Sequence, residues 1–200
     1  MSSRRTLEIG GIVAGLILVA FGIAALFMGI NGRNTVRDSI KAEGIVFASV
    51  DDPAVAKYAE KWADEAVLTG DQARAFAKVM REHTLESTDG LTYAQMGRFL
   101  AASNPDDPKG TSDEAAALKD ESGKPVANAA RNTWVTETAL TTALNMSYMA
   151  EQLSIFGIVV GVALLLAGIG FLILAWTVLG GGLKKAAVQP AQAMEPATGH

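Results

Sequence analysis

IGGIVAGLILVAFGIAALFMGING, Ile9 to Gly32, and QLSIFGIVVGVALLLAGIGFLILAWTVLGGGL, Gln152 to Leu183, decide the architecture. Neither stretch contains Asp, Glu, Lys, Arg or His. They are 24 and 32 residues long. A helix crosses a hydrocarbon core of roughly 30 Å with about 20 apolar residues. The pattern predicts an all-α membrane protein with two antiparallel transmembrane helices, 9–32 and 152–183. A small, mainly helical domain, 33–151, is looped out between them, and short tails lie at 1–8 and 184–200.

Charge is partitioned in the same way. Residues 33–151 carry 13 Lys or Arg and 19 Asp or Glu, a net charge of −6. An acidic domain of this kind excludes nucleic acid as a partner, which requires a basic face. The chain has no cysteine, so no disulfide braces the domain and no thiolate can serve as ligand or nucleophile. Lys and Arg near a span are retained on the cytoplasmic side. Arg4 and Arg5 before the first stretch, and Lys184 and Lys185 after the second, put both termini in the cytoplasm and 33–151 outside. Arg33 and Arg37 run against that rule. The apolar run continues past Gly22-Ile23-Ala24 through Ile30. It is longer than the 7–15 residues of a typical signal-peptide core, so the first span reads as an uncleaved anchor.

Within the domain, helix 1 runs on past the membrane and stops near Gly44, and Ile45–Phe47 is extended. Asp52-Pro53 is a helix start, with Asp as cap and Pro in the first turn. That helix reaches Ala66, and another spans Asp71–Glu86. Thr92-x-x-Gln95 has the form of a capping box and opens a short helix ending near Ser103. Residues 104–127 hold three of the six prolines and read as a mobile loop, with one weak helix at Asp113–Lys119. From Asn132 the absence of proline allows one helix to pass into the second apolar stretch. Phe47, Tyr58, Trp62, Phe76, Met80, Leu91, Tyr93, Phe99, Leu100, Trp134 and Leu140 are the expected core.

Glycines give each apolar stretch a smooth face. Gly11, Gly15, Gly22 and Gly29 are spaced by four, seven and seven, and Gly157, Gly161, Gly168 and Ala175 repeat the spacing. Helices in lipid associate through close backbone approach at such small residues. These eight residues are the expected helix-packing sites, with Gly15 matched to Gly168 and Gly22 to Gly161.

Catalytic signals are few. Glu82-His83-x-x-Glu86 sets His83 and Glu86 on one helix face, as in half of a carboxylate di-metal site. The other histidine is His200, in the tail, so the cluster reads as a solvated helix end. No catalytic residue, metal site or cofactor is expected. The expected role is a non-enzymatic interaction or assembly module of the bacterial cell envelope. Its partners would be membrane lipids and another envelope protein or itself. Alternatives are a membrane-bound metal-dependent enzyme using His83 and nearby carboxylates, or a homo-oligomeric channel. Neither apolar stretch carries the ionisable residues that mark ion pathways.

At Asn34-Thr35-Val36-Arg37-Asp38, at His83 with Gly90-Leu91-Thr92-Tyr93-Ala94, and at Thr141-Thr142-Ala143-Leu144-Asn145-Met146-Ser147-Tyr148-Met149-Ala150-Glu151-Gln152, the chain resembles a family of actinobacterial two-pass membrane proteins. Members often carry the automatically transferred label of aromatic ring-opening dioxygenase. A non-haem iron oxygenase needs at least two histidines and a carboxylate, and residues 33–151 contain His83 alone. The resemblance therefore implies the two-pass architecture and not the chemistry.

Overall fold

A computed structural model describes residues 3–179. Lys184, Lys185, His200 and the rest of the expected tail 184–200 lie outside the described residues. The described chain is helical, with no strand. It contains α1 (Ser3–Ala42), α2 (Pro53–Tyr58), α3 (Gly70–Ser87) and α4 (Ala129–Leu174), the last continued by a π-helical turn, Ala175–Leu179. Single 3-10 turns occupy Glu60–Trp62 and Tyr93–Gln95. Two compact units result. One draws its described residues from Met1–Ile30 and Phe156–His200, the other is Asn31–Ile155.

The first unit holds the apolar parts of α1 and α4. Large side chains face outward: Phe21, Phe27 and Met28 on α1, Phe156 and Leu166 on α4, and Trp176 on the π-helical turn are exposed. In the most apolar windows of these helices, 11% and 17% of residues are buried.

The second unit is built around small residues. Asp52 caps α2, its Oδ1 accepting from the amides of Ala54 (2.8 Å) and Val55 (3.3 Å), with Pro53 opening the first turn. The α2 segment packs through Ala54, Val55 and Ala59 onto Ala73, Ala75 and Val79 of α3, with Ile40, Phe47 and Val67 completing the core. Phe47 stacks against Trp62 (centroids 6.2 Å) and meets Phe76 edge-on (5.5 Å). Alanine at these positions lets the backbones approach, and the half-buried Trp62 and Phe76 pack against the buried Phe47. Gly44, at φ +63°, ends α1 in the left-handed region that glycine adopts without strain. The chain then pairs Val46 with Ala66 in a single antiparallel bridge.

Several expectations are corrected here. Tyr93 and Leu140 are 41% and 49% exposed and do not belong to the core. The helix expected to reach Ala66 stops at Tyr58 and gives way to a 3-10 turn. The capping box at Thr92 and Gln95 forms, but it closes one 3-10 turn and Met96 is already extended. Asp113–Lys119 is not helical. Asp113 turns its carboxylate onto the Ala115 amide (2.9 Å), and Leu118 donates to Leu100 O (2.8 Å) instead of to a helical carbonyl. Short polar side chains that capture nearby amides compete with helix formation in this way. The segment 97–128 is a set of isolated bridges, Phe99 pairing with both Thr111 and Ala127. Gly97 admits it, since a Cβ there would collide with the Thr111 backbone. Asn128, 1% exposed, ties the segment to α4. Its Nδ2 donates to Pro108 O (2.8 Å) and Gly97 O (3.2 Å), and its Oδ1 accepts from the Ala130 amide (3.1 Å).

Candidate functional site

The second unit contains two buried carboxylates on α4, and each is held by arginine. Glu151 is the more completely engaged. Its Oε1 accepts from Arg37 Nε (2.6 Å) and Arg33 Nε (3.2 Å), one turn apart on α1. Its Oε2 accepts from the Gly70 amide at the first residue of α3. A helix N-terminus offers unpaired N–H groups and partial positive charge, so it suits a carboxylate. Gly70 is required by this approach. A Cβ there would lie 2.8 Å from Tyr148 Cα and 3.0 Å from Glu151 Oε2. Burial acts to raise the Glu151 pKa, but the Gly70 amide, then Arg37 and Arg33, outweigh it, and the net shift is downward. An ionised carboxylate so saturated with donors fixes α1, α3 and α4 to one another.

Glu137 lies four turns earlier on α4, 3% exposed, with Oε2 accepting from Arg81 Nη1 of α3 (3.0 Å). Arg81 also lies over the Trp134 ring, 4.1 Å from its centroid. Glu137 Oε1 is buried without a partner. A groove of about 390 Å³ runs alongside, lined by Tyr58, Arg81, Glu82, Glu137, Thr141 and Asn145 among others.

The sequence candidates lie elsewhere. His83 Nε2 is 2.9 Å from Asp52 Oδ2, and this contact holds the Asp52 carboxyl below its ordinary value. The ring is thus paired with the α2 cap and not with Glu86, which is exposed. Among the described residues no three His, Asp or Glu side chains gather as a metal site would require. The glycines come together in the first unit. A Cβ on Gly15 would lie 2.9 Å from Gly168 O, and one on Gly22 would lie 2.9 Å from Gly161 O. One on Gly11 would meet Ala175 Cβ at 3.1 Å, and one on Gly157 would meet Gly29 Cα at 3.7 Å.

Sequence reasoning missed Glu151, Arg33, Arg37 and Gly70 as a group. A signal was present: Arg33 and Arg37 stand one turn apart where the retention of positive charge disfavours them, and an unexpected charge asks for a counter-charge.

No protein family, curated protein or solved structure matches the chain.

Proposed function

We propose that this chain is a non-enzymatic, two-pass integral protein of a bacterial cytoplasmic membrane. Residues 33–151 form an extracytoplasmic interaction or assembly module on an antiparallel helical hairpin. The supporting observation is the outward-facing apolar surface of α1 and α4 in the first unit. A core helix of a soluble protein buries its apolar windows, whereas only 11% and 17% of the residues in these are buried. Lipid is the solvent that such a surface fits. The donors gathered on Glu151 and the pairing of His83 with the Asp52 cap favour a structural over a catalytic role.

Reporter fusions test the topology. A periplasmic-type reporter placed after Lys109 should be active and one placed after Ala187 inactive; the reverse pattern overturns the reading.

A further inference from the structure

Glu151 uses only one edge of Arg33 and Arg37. Each gives its Nε to the carboxylate, at 3.2 and 2.6 Å. A guanidinium carries four further N–H groups on its two Nη atoms. Among the described residues no acceptor pairs with these Nη groups, and none of them is a buried unpaired atom. They therefore face outward, on side chains 39% and 37% exposed. Glu151, its side chain 4% exposed, holds the inner edge of both. Two guanidiniums one helical turn apart are thus fixed at the back and open at the front.

Depth and charge say what fits the open edge. Arg33 is the first residue past the apolar stretch, and α1 continues through it to Ala42. At 1.5 Å per residue, Arg37 stands about 7.5 Å beyond Gly32 along the helix. Headgroups take up roughly 5–8 Å on each side of a bilayer, the difference between about 30 Å of hydrocarbon and about 40–45 Å in all. On that measure both arginines lie at headgroup depth. Residues 33–41 carry Arg33, Arg37 and Lys41 against Asp38. With Glu151 the balance is +1, in a domain whose net charge is −6. A planar fork with free N–H groups matches a phosphate oxyanion in shape as well as in charge.

We propose that the Nη edges of Arg33 and Arg37 form a site for a phosphate oxyanion, supplied by a phospholipid headgroup or by free phosphate. The depth of the pair, which rests on the membrane reading above, favours the headgroup. Such a site also gives two arginines a use on the side of the membrane where the retention of positive charge disfavours them.

Native mass spectrometry of the full-length protein in detergent tests the site. The probes are dioleoylphosphatidylglycerol, dioleoylglycerol, which lacks the phosphate, and inorganic phosphate. The wild type should retain the phosphatidylglycerol and not the diacylglycerol. Arg33→Gln leaves Arg37 and the Gly70 amide on Glu151. It should weaken retention about fivefold, one arginine's share at a charged lipid surface. Arg33→Lys keeps the charge but loses the fork, and should weaken retention in the same direction. Lys124→Gln removes the same charge from an exposed loop and should change nothing. Lipid that excess inorganic phosphate does not displace assigns the site to the headgroup. Phosphate binding that is lost in Arg33→Gln, without lipid retention, assigns it to free phosphate. Equal retention of both lipids, retention unchanged in both Arg33 variants, or no binding of either phosphate probe would overturn the proposal. The Lys109 and Ala187 reporters separate the two readings. Retention that depends on Arg33 with inverted reporters keeps the site and sinks the topology; correct reporters without that dependence do the opposite.

Discussion

The two units hold their helices together by opposite means. In the first, glycines of α1 and α4 face one another, and a Cβ on Gly15, Gly22, Gly161 or Gly168 would come within 2.8–2.9 Å of a backbone carbonyl of the other helix. In the second, the same two helices are joined through Glu151, a carboxylate shared by two guanidiniums and an amide. The difference follows from surroundings. Where lipid already satisfies apolar side chains, only closeness of approach is left to reward association. Where water competes, a buried and fully paired charge specifies one arrangement of three helices, because any other leaves it uncompensated.

The sharpest way to break this contrast is to remove the carboxylate. Glu151→Ala leaves Arg33, Arg37 and the Gly70 amide without their common acceptor. Breaking a buried ion pair from one side costs about 3–5 kcal/mol. The arginines are 39% and 37% exposed and recover some hydration, so a loss of about 3 kcal/mol is expected by chemical denaturation in detergent. Denaturation with no change in midpoint would remove Glu151 from its place in the argument. The pH dependence carries the same sign. A carboxyl whose folded pKa is depressed contributes fully above its ordinary value of 4.5 and loses that contribution as pH falls below it. Wild-type stability should therefore drop below about pH 4.5, and the drop should shrink in Glu151→Gln.

Glycine is the next target, with a smaller expected effect. Gly161→Leu places a side chain where a Cβ alone would come 2.9 Å from Gly22 O and 2.8 Å from Leu26 Cγ. Overpacking of this kind costs about 1–3 kcal/mol. Gly10→Ala, with nothing within 4 Å of its Cβ, should be neutral or slightly stabilising. If both substitutions behave alike, the stripe is incidental. Cysteine pairs at 15/168 and 22/161 should cross-link within one chain; links formed only between chains would assign the stripe to an oligomer.

How much of this could be read from the chain differs between the units for a physical reason. Offsets of four and seven are local, so the glycine stripes stand out in the sequence of each helix, as does the length of each apolar run. The clasp is not local. Glu151 finds Arg33, Arg37 and Gly70 across 118, 114 and 81 residues, and no spacing rule reaches that far. Large side chains misled the core assignment in the same way. Leu140 stands outside, while Ala54, Ala59, Ala73 and Ala75, too small to attract notice, fill the α2–α3 contact. The 97–128 segment has no period to read, because its bridges pair residues as far apart as Phe99 and Ala127.

The smallest expected effect belongs to His83, and it tests whether the second unit hides a reactive centre among its ionic contacts. The ring is half-exposed and its partner Asp52 keeps two backbone donors, Ala54 and Val55, when the imidazole is gone. The α2 cap therefore survives the substitution. Exposed ion pairs contribute roughly 0–1 kcal/mol, so His83→Ala should shift stability by no more than about 0.5 kcal/mol. Asp52→Ala should cost more, about 1 kcal/mol, because it removes the cap itself. A reversal of that order would mean that His83 does something the cap does not explain. Elemental analysis of the purified wild type gives the complementary reading. A stoichiometric metal lost in His83→Ala would turn the contact with Asp52 into a ligand pair, and the charge clasps of this unit would then have to be reread as the surroundings of a metal centre.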